Sequence, residues 1–272
     1  MIYKYCNSLG IDILANSRLK ISRLSTINDP FDWSVSSKPA PISYVKRQIW
    51  ESPELIPRWE RIFSQYHVDI RFSDPERFIE KILEFQVRDM QRVIANQAKN
   101  IERKFGFISF SKMPDIIPMW AHYGGNHGGL TFGIDESELK IDPKEIIEIQ
   151  YNDEMPVFKV SANTIDEAES LKTIRESYSR KANSWSYESE KRILAQLNNI
   201  YPDGNFYVAI SKIAIKEIYL GLRFDVTNEM HQAIWKFQSE GGKIFKMTKS
   251  SSEYKLIPIL EHISEPDTIF TA

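Results

Sequence analysis

Apolar and polar positions along the chain follow two different periods. Short runs rich in β-branched and aromatic residues, bounded by glycine, proline or asparagine, predict strands. The predicted strands cover residues 2–5, 19–24, 105–111, 130–134, 146–151, 185–197, 206–210, 213–220, 243–247 and 254–258. Apolar residues three and four positions apart predict helices at about 11–15, 42–103, 114–123, 164–181 and 226–237. Short strands with helices dispersed among them predict an α+β fold with a mixed, largely antiparallel central sheet.

The stretch from about 42 to 103 has the longest helical period. Phe78, Ile82 and Phe85 recur at helical spacing, and Ser73-Asp74-Pro75-Glu76 supplies an N-cap and a proline for a first turn. We therefore predict a single domain, residues 1–272, in which residues 42–103 form a helical insertion or lid. A β-α-β alternation with a glycine-rich phosphate loop is missing from the sequence, which argues against a Rossmann domain.

The composition limits the classes of function. The chain of 272 residues is 42% hydrophobic and carries 35 basic and 37 acidic residues, a formal net charge of −2. Because this balance supplies no overall field for nucleic acid, we do not expect dedicated binding of duplex DNA. One cysteine and five scattered histidines offer no zinc-type spacing, and no apolar run reaches the roughly 18 to 20 residues of a membrane span. We expect a cytoplasmic protein that uses neither a metal nor a membrane segment.

Two carboxylates stand close together in the segment Trp185-Ser186-Tyr187-Glu188-Ser189-Glu190. If this segment is a strand through Arg192, alternation places Glu188, Glu190 and Arg192 on one face. Carboxylates about 7 Å apart at their Cα atoms shift each other's protonation and can divide two roles around one substrate. The alternative is a solvated strand edge on which Glu190 pairs with a neighbouring basic residue.

A second candidate segment runs from Phe107 to Gly129. Ser109 and Ser111 lie on the same face of the predicted strand, so two hydroxyls can line a cleft. The helix that follows brings the side chains of Trp120, His122 and Tyr123 within one turn, where they can stack a base or a nicotinamide ring. The alternative is that the tryptophan is part of the core and the histidine satisfies a backbone carbonyl.

Three further positions remain open between a ligand contact and a structural role. His127 lies in a glycine-flanked loop, where it either contacts a ligand or fills a turn. The turn Asn28-Asp29-Pro30-Phe31-Asp32 suits a structural role better than a metal site, because it offers too few oxygen ligands. In Tyr3-Lys4-Tyr5, either the two tyrosines or the lysine faces the site, and the sequence does not choose.

Taken in order, these motifs resemble a known family. The series comprises a tyrosine-rich first strand, the N-D-P-F-D turn, an S-F-S strand running into M-W-A-H-Y and N-H-G-G, and finally W-x-Y-E-x-E. Together they resemble the bacterial domain-of-unknown-function family 2971. The resemblance spans nearly the whole chain and is weakest over residues 42–103. The family implies no reaction.

The layout is also similar, more distantly, to the ADP-ribosyltransferase plan, which would imply a split sheet and NAD as substrate. That plan has a polar or aromatic residue on the first strand, an S-x-S strand before a helix, and a late E-x-E strand. By this resemblance Glu190 would orient NAD through the nicotinamide ribose, and Glu188 would activate the acceptor. Arginine-directed transferases carry arginine or histidine on the first strand, where this chain has Tyr3-Lys4-Tyr5.

Two functions of different classes are consistent with these observations. The first is an ADP-ribosyltransferase-like enzyme that cleaves the nicotinamide–ribose bond of NAD and modifies a protein or nucleic-acid acceptor, as a bacterial toxin or in stress or antiphage defence. The second is a non-catalytic module that binds a nucleotide or a partner in such a system. A nuclease is a weaker interpretation, because the sequence shows no group of several carboxylates that would hold a catalytic metal. The residues predicted to contact NAD are Tyr3, Lys4, Tyr5, Ser109, Ser111, Trp120, His122, Tyr123 and His127.

Overall fold

The computed structural model describes residues 1–139, 145–159, 167–225 and 227–266. The chain forms two compact units. The first comprises Met1–Asn28, Lys104–Tyr151 and Lys181–Ala272, and the second comprises Asp29–Arg103 and Asn152–Arg180. Each unit has a hydrophobic core of its own.

The described residues form strands and helices whose bounds follow. The strands are β1 (Ile2–Cys6), β2 (Arg18–Ile21), β3 (Ser36–Lys38), β4 (Phe105–Ser111), β5 (Leu130–Ile134), β6 (Ile146–Glu148), β7 (Gln150–Tyr151), β8 (Val157–Lys159), β9 (Arg180–Lys181), β10 (Glu190–Gln196), β11 (Phe206–Ala209), β12 (Ile215–Leu220), β13 (Lys243–Lys249) and β14 (Leu256–Leu260). The helices are α1 (Asp12–Asn16), α2 (Ile42–Glu51), α3 (Leu55–Gln65), α4 (Pro75–Lys104), α5 (Ile117–His122), α6 (Glu167–Ser179) and α7 (Asn228–Ser239).

The first unit is built on a large mixed sheet. Within the described part of the chain, eight strands pair in the order β14-β13-β12-β5-β1-β4-β10-β6. Strands β12 and β13 are parallel, and the other neighbouring pairs of this sheet are antiparallel. The prediction of an α+β fold with a mixed, largely antiparallel sheet is therefore confirmed.

Side-chain alternation gives this sheet two different faces. On one face, even-numbered residues of β1 join the larger core: Ile2 lies opposite Ile134 and Lys4 opposite Phe132. On the other face, Tyr5 packs with Trp120 of α5 and with Tyr219 of β12 in a smaller cluster. Burying large apolar side chains of this kind stabilises the fold by roughly 1.5–3 kcal/mol each, so both faces are fixed by packing.

The second unit is mainly helical. Helices α2, α3 and α4 contribute Val45, Phe63, Phe78 and Ile82 to its core, where all four are almost completely buried. Helix α4 begins with Pro75, and the Asp74 side chain accepts the backbone N–H of Arg77. Proline suits this position because the first amides of a helix have no intrahelical acceptor.

The segment from 42 to 103 is thus helical, as its period predicts. Its function as an insertion or lid, and the single-domain organisation of residues 1–272, stay predictions. The first residues of the predicted 164–181 helix and residue 226 lie outside the described residues. Among the helices of the described ranges, none is long and apolar enough to cross a lipid bilayer.

Candidate functional site

Residues from three of the predicted motifs lie side by side on one face of the large sheet. Tyr3 of β1 lies opposite Ser111 of β4, and Ser111 lies opposite Glu190 of β10. One step further along, Arg192 lies opposite Ser109. Directly opposed residues of an antiparallel pair project from the same face. The first-strand motif, the S-F-S strand and the second glutamate of E-x-E therefore meet in one row.

The segment before Glu190 differs from the strand predicted from the sequence. Residues Asn183–Glu188 form a 3₁₀ helix, and β10 begins only at Glu190. Ser189 joins the two with a left-handed backbone, φ 44°, a conformation that is uncommon for residues other than glycine. The prediction that Trp185 to Glu188 belong to the strand is therefore wrong. Glu188 and Glu190 meet because the chain turns between them, not because they alternate along a strand.

The two glutamates are joined by a buried lysine and a buried arginine. Lys181 Nζ lies 2.6 Å from Glu188 Oε2 and 2.8 Å from Glu190 Oε2. Arg192 donates from Nε to Glu190 Oε1 at 2.6 Å and from a terminal nitrogen to Oε2 at 3.1 Å. No more than 6% of any of these four residues is exposed. Both cations pair with the carboxylates, and pairing of this kind is what deep burial of charge requires.

Several polar groups also bond to this ion network. The Tyr123 hydroxyl donates to Glu188 Oε1 at 2.5 Å and accepts the Asn28 amide N–H at 2.8 Å. The backbone N–H of Glu190 donates to the Tyr151 hydroxyl at 2.8 Å. We call Asn28, Tyr123, Tyr151, Lys181, Glu188, Glu190 and Arg192 the carboxylate cluster.

The cluster shifts the pKa values of the two glutamates in opposite directions. Burial by itself raises the pKa of Glu190, but the Arg192 and Lys181 charges outweigh it and lower that pKa to about 2. Burial raises the pKa of Glu188 above its ordinary value, and the opposing effects of Lys181 and the Tyr123 hydrogen bond are smaller. Paired titratable groups with diverging pKa values are typical of acid–base sites, although structural ion networks also produce them.

The other residues predicted for the site fall in several places. Trp120 is completely buried, and its indole N–H donates to the Pro114 carbonyl at 2.8 Å. Tyr5 is also buried and bonds to the backbone of Met113 and Ile116 through its hydroxyl. Trp120 is therefore a core residue, and its ring is not open to a ligand. Lys4 lies on the opposite face of the sheet and donates to the Ser109 carbonyl at 3.0 Å.

Half-exposed aromatic rings stand next to the cluster. His122 is exposed, and its ring centroid lies 6.3 Å from that of Tyr123 and 6.4 Å from that of Tyr187. The ring centroid of Trp185 lies 6.1 Å from that of Tyr187, on the other side of Tyr187 in the sequence of ring contacts. The aromatic surface beside the two glutamates thus consists of residues 122, 123, 185 and 187.

The glycine-flanked loop is held by backbone contacts. His127 has a left-handed backbone, φ 66°, and its N–H donates to the Trp120 carbonyl. Its own carbonyl accepts the N–H of Arg223 at 2.8 Å. A side chain at Gly221 would come within 2.3 Å of the His127 carbonyl oxygen. Within the described part of the chain the buried Nδ1 of His127 has no hydrogen-bond partner, so its role stays open between a ligand contact and a turn.

Residues 119–193 match the model of a family described as a protein of unknown function, DUF2971. The matched segment contains Tyr123, Lys181 and both glutamates, so the chain is similar to this family across most of the carboxylate cluster. No curated protein and no solved structure matches the chain significantly. Similarity to ADP-ribosyltransferases is not shown.

Sequence reasoning missed Lys181 and Tyr151 and favoured a structural role for the turn that contains Asn28. Lysine is almost never fully buried unless it is paired, so a lone lysine after a predicted helix carries no signal of a site. Asn28 and Tyr123 are far apart in the chain and are brought together only by folding. Among the described residues no group of three histidine, cysteine or acidic side chains is arranged to hold a metal.

The low pKa of Glu190 predicts a specific loss of stability in acid. A carboxyl whose pKa is lowered in the folded state stabilises the fold above its ordinary pKa, 4.5, and this contribution disappears as the pH falls towards 2. The lost free energy of unfolding is on the order of 3 kcal/mol, at about 1.4 kcal/mol per pKa unit. The contribution of Glu188 to stability changes with pH in the opposite sense. Because its pKa is raised in the folded state, this contribution is lost as the pH rises above 4.5. Urea denaturation of wild type and Glu190→Gln between pH 2 and 5 measures the difference; the same slope in both proteins would contradict the assignment.

Proposed function

We propose that the carboxylate cluster is the active site of an ADP-ribosyltransferase-like enzyme, which cleaves the nicotinamide–ribose bond of NAD and transfers ADP-ribose to a protein or nucleic-acid acceptor. The observation that supports this most is the row of Tyr3, Ser111 and Glu190 across β1, β4 and β10. The row follows the motif order by which the chain resembles the ADP-ribosyltransferase plan, and its residues share one sheet face. A setting in bacterial stress or antiphage defence, as a toxin or otherwise, stays a prediction.

Glu190 is suited to stabilise the ribose of NAD through a fixed negative charge. Its carboxylate is ionised throughout the neutral range because its pKa is about 2, and Arg192 and Lys181 fix its orientation. Glu190 is only 3% exposed and both of its oxygens have partners, so it acts on the ribose through its charge and not through a direct hydrogen bond. When the bond from C1′ of the ribose to the nicotinamide nitrogen breaks, its electron pair stays with the ring, and C1′ develops positive charge. A fixed carboxylate nearby stabilises that charge.

Glu188 is suited to the acceptor side of the reaction. Its raised pKa makes it a stronger base than an exposed glutamate, so it can take the proton that the acceptor releases when its nucleophilic atom bonds to C1′. The aromatic rings of His122, Tyr123 and Tyr187 provide a stacking surface for nicotinamide. Because Trp120 is buried, these more exposed rings take the stacking role that the sequence also suggested for Trp120.

A non-catalytic binding module is the second candidate, and a specific observation favours it. Both glutamates are only 3% exposed, and both are paired with buried cations, Lys181 and Arg192. A network of this kind can hold β10 and the 3₁₀ helix in place without reacting. In that case the aromatic surface beside the cluster would bind a nucleotide or a partner without turnover.

Incubation of the wild-type protein with NAD separates the two candidates. Nicotinamide is quantified chromatographically with and without cell lysate, and labelled ADP-ribose is followed onto protein and nucleic acid. The enzyme proposal expects release of nicotinamide that grows with protein concentration. Saturable binding of NAD or another nucleotide by calorimetry, with no nicotinamide released under either condition, would reject the enzyme and favour the binding module.

A further inference from the structure

Glu188 is sealed from direct contact with an acceptor. It is 3% exposed, and each of its carboxylate oxygens already has a partner. Oε2 accepts from Lys181 at 2.6 Å, and Oε1 accepts from Tyr123 at 2.5 Å. Lys181 is itself 6% exposed. A proton that enters Glu188 from outside the network therefore arrives through one of these two neighbours.

Tyr123 is the neighbour that reaches outward. It is half-buried, and its ring lies beside the exposed ring of His122. Its hydroxyl donates its one hydrogen to Glu188 and accepts the N–H of Asn28. A hydroxyl oxygen has two lone pairs, so one of them is left after the Asn28 bond. Within the described ranges no other group donates to this oxygen.

We propose that Tyr123 relays the acceptor's proton to Glu188, so that the tyrosine hydroxyl, not the buried carboxylate, touches the acceptor. The relay rests on the proposed function, because it describes the acceptor step of that reaction. As the acceptor atom X bonds to C1′ and nicotinamide leaves with the electron pair, the X–H proton passes to the Tyr123 oxygen. In the same step the tyrosine's own proton passes to Glu188 Oε1. Tyr123 ends neutral, Glu188 ends protonated, and water can take the place of X–H.

The protonation states fit this role. Burial, with the nearby Glu188 charge, raises the pKa of Tyr123, so the hydroxyl keeps its proton at neutral pH and passes a proton along rather than acting as a phenolate base. The O–H···O⁻ bond of 2.5 Å has the short length of a charge-assisted hydrogen bond. Asn28 holds the ring oxygen from the other side at 2.8 Å. Two hydrogen bonds therefore fix the Tyr123 hydroxyl between the Asn28 amide and the Glu188 carboxylate.

The test uses the full-length protein with NAD alone, so that water is the acceptor. Tyr123→Phe keeps the ring and removes the relaying oxygen, and nicotinamide release is expected to fall about 100-fold, the lower end of the range for general acid–base catalysis. NAD affinity, measured by calorimetry, is expected to stay within about threefold, because the hydroxyl acts in the transition state and not in the bound state. The wild-type rate is expected to be slower in deuterium oxide than in water, and the residual rate of the variant is not.

Two further variants keep the result interpretable. Tyr207→Phe removes a comparable hydroxyl–carboxylate bond, from Tyr207 to Asp203 at 2.6 Å, on the exposed surface, and is expected to release nicotinamide like wild type. Asn28→Ala removes the exposed amide that orients Tyr123 and is expected to lose less than Tyr123→Phe. Circular dichroism of each protein checks that it is folded.

The outcomes distinguish the relay from the proposed function. If wild type releases nicotinamide and Tyr123→Phe releases it within threefold of the same rate, the relay is wrong and the proposed function stands. A fall in NAD affinity as large as the fall in rate also overturns the relay, because Tyr123 would then serve binding. If Tyr123→Phe cannot be obtained in folded form, Asn28→Ala tests the relay instead. An unchanged rate and an unchanged isotope effect in that variant would contradict the relay. Absence of release by wild type rejects the proposed function, and the relay with it.

Discussion

Nicotinamide release from NAD is expected to fall about 100- to 1000-fold when Glu190 is replaced by glutamine. The amide keeps the shape of the side chain and can still accept a hydrogen bond, but it has no charge with which to stabilise the positive charge at C1′. Because that charge develops only in the transition state, NAD binding is expected to weaken much less than turnover. Rates of nicotinamide release and calorimetric affinities for wild type and Glu190→Gln measure the two effects separately.

The structure makes controls necessary for this substitution. Glutamine leaves Arg192 and Lys181 facing one negative charge fewer in a buried place, so the variant also loses stability. Glu190→Asp keeps the charge on a shorter side chain and is expected to be the more stable of the two variants. Glu136→Gln removes a carboxylate from the partly exposed ion pair with Lys191 and is expected to leave the rate unchanged. Equal release by wild type and folded Glu190→Gln would remove Glu190 from the mechanism.

The free energy of unfolding is expected to fall by about 3–5 kcal/mol at pH 7 when Lys181 is replaced by methionine. Methionine keeps much of the volume of the lysine side chain but removes the buried cation that pairs with both Glu188 and Glu190. The buried network then has one positive charge fewer, and protonation of Glu188 can offset that loss. Because Glu188 must lose that proton again as the pH rises, the loss of stability is expected to be larger at pH 8 than at pH 5. Urea denaturation at the three pH values measures it.

A double variant tests whether charge balance is the cause. Lys181→Met combined with Glu188→Gln removes one charge of each sign, so the network regains its wild-type net charge. The double variant is expected to recover more than half of the stability lost by Lys181→Met alone. Lys112→Met is the matched surface control: it breaks the exposed pair between Lys112 and Glu148 and is expected to change stability by no more than about 1 kcal/mol. If Lys181→Met were no more destabilising than Lys112→Met, the buried network would not stabilise the fold.

Local patterns determined most of the elements of this protein. The predicted bounds of β4 and β5, residues 105–111 and 130–134, agree with the structure because both runs are apolar and β-prone and end at residues that break strands. The helical period of residues 42–103 likewise depends only on neighbouring positions, and helices α2 to α4 occupy that stretch. Two of the motifs that meet in the row, S-F-S and E-x-E, are also visible in the sequence, since polar residues interrupt apolar runs there.

Tertiary contacts decided which face of the first strand belongs to the site. Alternation separates Tyr3 and Tyr5 from Lys4, but it does not say which side faces Glu190. The pairing of Tyr3 with Ser111, and of Ser111 with Glu190, settled it, and Lys4 packs against Phe110 on the other face. Register between distant strands depends on the packing of the whole sheet, so no local pattern could supply it.

Tertiary contacts also decided the state of the two glutamates. One alternative left open by the sequence is a solvated strand edge on which Glu190 pairs with a neighbouring basic residue. The pairing with Arg192 exists, but the pair is buried. The strand predicted through Glu188 is replaced by a 3₁₀ helix, because Glu188 bonds to Lys181 and Tyr123 instead of following the alternation of β10. Sequence by itself determined that two carboxylates stand near one strand. Only folding brought in the lysine and the tyrosine that hold them, because those partners lie in other segments of the chain. Their hydrogen bonds and ion pairs are strong because they are buried in a low-dielectric interior.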